Sequence, residues 1–114
     1  MRIRQEQFLE FEKAVASQAD ARLARYARER FPERFLHTPD DELAAFVADI
    51  RRGAREHLIF QEPDVAIVLD LSVMYGASFY GADWARDVFE INDWSGAQKL
   101  EVVRERVRRQ IPEF

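Results

Sequence analysis

No cysteine occurs in the 114 residues, which excludes disulfide stapling and thiolate chemistry and fits a reducing compartment. Lysine is nearly missing as well: of 17 basic residues only Lys13 and Lys99 are lysines. The four glycines, Gly53, Gly76, Gly81 and Gly96, stand alone, and none is followed by the Lys-Ser or Lys-Thr pair of a phosphate-binding loop. Two histidines, His37 and His57, are present, but there is no HExxH and no second histidine at helical spacing, so the donor set of a zinc site is not met locally. Nothing resembling a nucleophile elbow surrounds Ser72, Ser78 or Ser95. No apolar run approaches the roughly 18 residues of a membrane span, and the opening MRIRQEQFLEFEK has no apolar stretch of signal-peptide length. A cytoplasmic chain with no membrane role and no cofactor or metal is the expectation.

What is present suits a folded helical protein. With 47% hydrophobic and 33% charged residues the chain lies outside the composition of disorder and can bury one core, so residues 1–114 read as a single domain. The net charge is -4, and acids outnumber bases only after Phe60. That sign does not favour a nucleic-acid partner.

From Arg4 to Phe31 the apolar positions Phe8, Phe11, Val15, Ala19, Leu23 and Tyr26 recur every three or four residues, which predicts a long helix ending before Pro32. Thr38 as cap, Pro39 at the first position and Asp40, Asp41 and Glu42 behind it predict a second start. Leu43, Phe46, Val47, Ile50, Ala54, His57 and Leu58 form its inner stripe. The segment from Asp64 to Gly76 is apolar almost all round and β-branched, so either a buried helix or a strand would account for it. Its neighbours all read helical, which favours a helix with Pro63 near its first turn and Gly76 as a left-handed cap. A short helix from about Ala82 to Ile91 is expected next. Ser95 with Gln98 matches a capping box and opens a last helix with Leu100, Val103, Val107 and Ile111 inside. The fold class is all-α, a compact bundle of about five helices.

Three groups of residues could carry function. Asp64 and Asp70 enter the most apolar segment, and His57 lies on an apolar stripe. Such groups serve acid-base chemistry when desolvated, or pack as buried, hydrogen-bonded structural groups when they find partners. The structural role is favoured, with a small enzyme using Asp64, Asp70 or His57 as the alternative. As a strand, IVLDLS would resemble the start of an aspartyl phosphatase, but Ser72 stands where the second aspartate belongs. Arg104, Arg106, Arg108 and Arg109 could meet phosphates, yet Glu101 and Glu105 interleave with them and the end of a helix suits cations without any partner. The third group is the aromatic stretch over residues 73–89. Tyr75, Phe79, Tyr80 and Trp84 either plug the bundle or anchor a protein interface.

The run EPDVAIVLDLSVMYGASFYGADWARDVF, with AQKLEVV after it, resembles a family of short uncharacterised bacterial proteins associated with type VI secretion and polymorphic toxin gene clusters. The likeness is carried by Glu62, Asp64 and Val65, by Leu69, Asp70 and Leu71, by Tyr75, Gly76, Phe79, Trp84 and Ala85, and by Lys99 and Leu100. Pro63 and Asp83 depart from the pattern. The resemblance implies an accessory without enzymatic activity, either an adaptor or chaperone that loads an effector or an immunity protein that binds a toxin. Its partner would be an effector, toxin or secretion component bound through Tyr75, Phe79, Tyr80 and Trp84, with homo-oligomerisation left open.

Overall fold

The computed structural model describes residues 5–91 and 93–110, and side chains over residues 18–109 apart from Asn92. The protein is all-α: α1 (Gln5–Arg30), α2 (Pro32–Phe35), α3 (Asp40–Glu56), α4 (Glu62–Tyr75), a 3-10 turn (Phe79–Gly81), α5 (Arg86–Phe89) and α6 (Gly96–Gln110), with no strand among the described residues. Among those residues no helix is long and apolar enough to cross a membrane. Contacts group the chain into two units, Met1–Ala48 and Asp49–Phe114.

In the first unit, α1 stops where proline demands. Phe31, with φ -129° and ψ 63°, leaves the helical region ahead of Pro32. The chain then makes a one-turn helix, α2, which periodicity did not foretell and which packs on α1. Leu23, Ala27, Phe35, Leu43 and Val47 are buried, and the rings of Phe35 and Phe46 meet at 5.5 Å. Of the stripe expected on α1, Phe8, Phe11 and Val15 lie outside the residues whose side chains are described. Arg28 ties the turn between α2 and α3. Its Nη1 donates to the Phe35 carbonyl at 2.8 Å, and its Nη2 to the Thr38 carbonyl at 2.7 Å and to Asp40 Oδ1 at 2.8 Å. The helix start differs slightly from expectation: α3 opens at Asp40, and the Pro39 carbonyl accepts the Leu43 N–H. The three acids do occupy its first turn.

In the second unit, the ambiguous apolar segment is helical. α4 has Pro63 in its first turn and buries Val65, Val68, Leu69, Asp70, Leu71 and Ser72. Gly76 ends it, donating its N–H to the Ser72 carbonyl at 2.8 Å. The expected left-handed cap is corrected: at φ 93° and ψ 159° the backbone is in the extended region open to glycine, which throws the chain sideways into the 3-10 turn.

The helix expected over residues 82–91 is corrected to a turn and the single-turn α5. Ala85, at φ -125° and ψ -34°, breaks the helical path and is itself fully buried. Arg106 of α6 holds this bend, with Nη1 donating to the Trp84 carbonyl at 3.0 Å and the guanidinium gripping both Asp87 carboxylate oxygens at 2.8 and 3.1 Å.

The capping box forms as expected: Gln98 N–H donates to Ser95 Oγ at 3.1 Å, and Ser95 N–H to Gln98 Oε1 at 2.9 Å. Leu100, Val103 and Val107 are buried, while Ile111 lies outside the described residues. α6 packs on α4 and α5.

Candidate binding surface

The aromatic stretch folds into a chain of touching rings. Tyr75 meets Trp84 at 5.1 Å, Trp84 lies nearly parallel to Phe79 at 6.2 Å, and Phe79 stacks on Tyr80 at 4.1 Å. Tyr80 in turn lies on the His57 imidazole, with centroids 3.9 Å apart and planes 15° from parallel. Phe89 closes the cluster, edge-on to Phe79 and Tyr80 and tilted against His57 at 5.2 Å. Such offset and edge contacts add to what area burial contributes. Phe79 is 2% exposed, Tyr80 and Trp84 are half-buried, and Tyr75, at 37% exposure, is the member of the expected interface that opens to solvent.

The polar groups inside this cluster are held in their neutral forms. Burial, reinforced by the Glu56 carboxylate, pushes the Tyr80 phenol far up, and its hydroxyl is buried without a hydrogen-bond partner among the described residues. Burial also pulls His57 below its ordinary value. Glu56 opposes that shift and the Lys99 ammonium adds to it. Lys99 is buried and donates Nζ to the Phe89 carbonyl at 3.1 Å. Asp64 is half-buried in the first turn of α4. Asp70 is buried on the same helix and has an interaction partner. His57 therefore meets aromatic rings at the end of α3. Among the described residues no group of three or more His, Asp or Glu side chains could hold a metal ion.

The arginine run divides. Arg106 is committed to Asp87 and Trp84, Arg109 lies 3.8 Å from Glu105 one turn earlier, and Arg108 is exposed.

The largest departure from the sequence reading is Leu58. Expected on the inner stripe, it lies past the end of α3 and is 62% exposed. The helix terminates in a Schellman motif: the Ile59 N–H donates to the Ala54 carbonyl and the Leu58 N–H to the Arg55 carbonyl, each at 3.0 Å. Leu58 occupies the left-handed position, φ 61°, that such motifs usually give to glycine. Ile59 is buried, while Phe60 is again 62% exposed.

Gly96 explains why this backbone is fixed. A Cβ there would run into the Leu58 carbonyl and come within 2.7 Å of the His57 carbonyl oxygen, so the start of α6 rests directly on the α3 terminus. Trp94, 39% exposed, precedes that contact. It borders an open depression lined by Gln98, Glu101 and Val102. From sequence Leu58 was placed inward and Phe60 and Trp94 were not singled out, because their exposure depends on where a helix stops. Neither a protein family, a curated protein nor a solved structure matches the chain.

Proposed function

We propose that the chain is a non-enzymatic, cytoplasmic protein-binding accessory of a secreted toxin or effector, serving as an adaptor or chaperone or as an immunity protein. The observation that carries the binding role is the outward presentation of Leu58 and Phe60, both 62% exposed, on a backbone that the Schellman motif and Gly96 hold in place. Covering each side chain with a partner is worth about 2 kcal/mol, and a preset backbone loses little freedom on docking. The resemblance of the central segment to short proteins of type VI secretion and toxin clusters supports the choice of partner.

The test is capture of an effector or toxin from cells of the source organism, using wild type and a Leu58→Asn, Phe60→Ser double variant of equal helicity. A partner retained by wild type and lost by the variant supports the reading; equal retention, or none by either, overturns it. Co-expression with the captured protein then separates the roles. Protection from its toxicity marks an immunity protein, and unchanged toxicity with lost secretion in a deletion strain marks an adaptor.

A further inference from the structure

We propose that the corner of the second unit carrying Leu58, Phe60 and Trp94 receives a basic amphipathic segment of the partner protein. This rests on the protein-binding reading above and names the chemistry of the partner.

Two stretches of chain meet at this corner. Gly96 abuts the carbonyls of His57 and Leu58, and the Phe89 ring lies 5.2 Å from the imidazole of His57. The backbone at residues 57 and 58 is thereby brought against Gly96, and Leu58, Phe60 and Trp94, each within two residues of that contact, are exposed. The depression beside Trp94 is lined by Gln98, Glu101 and Val102 of α6.

Within residues 56–64 and 87–98 the charged side chains are all acidic; Arg106 and Arg109 enter farther along α6, where they share a second depression with Glu101, Val102 and Glu105. Glu56, Glu90, Asp93 and Glu101 are exposed, and neither residues 56–64 nor residues 87–98 include a lysine or arginine. Lys99 is buried and donates to the Phe89 carbonyl. Arg55, exposed in the last turn of α3, is the basic residue next in sequence.

An apolar patch among carboxylates repels phosphate backbones and anionic headgroups. It attracts lysine and arginine side chains that flank apolar anchors. A helix with anchors one and two turns apart and basic residues between them has that complementary pattern.

The probe is a fluorescently labelled amphipathic peptide of leucine and lysine, titrated with the full chain and read by anisotropy. A leucine–glutamate peptide of the same pattern, duplex DNA and phosphatidylglycerol vesicles are run beside it. The expected result is binding of the lysine peptide alone, weakened by salt. Leu58→Asn with Phe60→Ser, and separately Glu56→Lys with Asp93→Lys, should each reduce affinity by about tenfold or more. All these positions are exposed, and circular dichroism confirms that each variant is folded.

Equal binding of the glutamate peptide, a preference for DNA or vesicles, or acid-site variants that bind like wild type would overturn the inference. Capture of the natural partner keeps the two readings apart. Loss on changing Leu58 and Phe60 with indifference to Glu56 and Asp93 overturns the basic-segment inference and leaves the protein-binding role standing. Indifference to all four overturns both.

Discussion

The imidazole of His57 lies flat on the ring of Tyr80, 3.9 Å between centroids, and burial holds it below the ordinary value of 6.5. As pH falls, the unfolded chain takes up this proton before the folded one does. The stability of the neutral stack is complete above about pH 6.5 and is lost as pH drops from there toward the lower folded-state value. Melts from about pH 8 to about pH 5 should show the midpoint falling across this window. His57→Phe, which keeps a ring on Tyr80 but has no proton to gain, should flatten that part of the profile. A variant profile parallel to wild type would show that His57 is not the titrating group.

Leu58→Gly should stabilise the protein. A leucine at φ 61° carries about 1–2 kcal/mol of left-handed backbone strain. Glycine removes that strain at a cost of about 0.5–1 kcal/mol from its freer unfolded chain. The exposed side chain gives up little burial, so the net gain is about 0.5–1 kcal/mol. Urea unfolding should show a higher midpoint with an unchanged slope; a lower midpoint would mean that the Leu58 side chain contributes packing that its exposure does not suggest.

Two glycine-to-alanine changes should move stability in opposite directions. Gly53, within α3, has open space where a Cβ would stand, so Gly53→Ala should add about 0.5–1 kcal/mol. Gly96→Ala drives a methyl group into the His57 and Leu58 carbonyls and should cost about 2 kcal/mol or more, since backbone on both sides must shift. Similar effects of the two changes would contradict the close approach of α6 to the α3 terminus.

Ser95→Ala removes the hydroxyl that accepts from the Gln98 N–H and should cost about 1 kcal/mol. The loss should be read in the denaturation midpoint, and hydrogen exchange should accelerate first at the Gln98 amide. An unchanged midpoint would indicate that solvent replaces the cap.

Much of the fold was legible in residues that obey local rules. The spacing of Leu43, Val47, Ile50 and Ala54 specified the inner face of α3, and the Ser95–Gln98 pair placed the start of α6. The neighbours of the β-branched run over residues 65–73 identified it as helix. Leu58 was not legible, because the apolar stripe runs through it without a break. The chain leaves the helix there against Gly96, which is 38 residues away and reads in isolation like any other glycine. The shortness of α5 has a similar cause: Arg106, 22 residues beyond Trp84, takes its carbonyl. The aromatic cluster was visible as composition, but the direction of each ring was not. Phe79 went inward and Tyr75 stayed at the edge because Gly76 turns the chain between them.

Both tryptophans, Trp84 and Trp94, belong to the unit Asp49–Phe114, and the unit Met1–Ala48 has none. Tryptophan emission during denaturation is therefore a record of the second unit alone, whereas helical circular dichroism reports on both, since each unit holds long helices. Superposition of the two curves would mean that the halves melt as one cooperative body, and separation would resolve two transitions without any label being introduced.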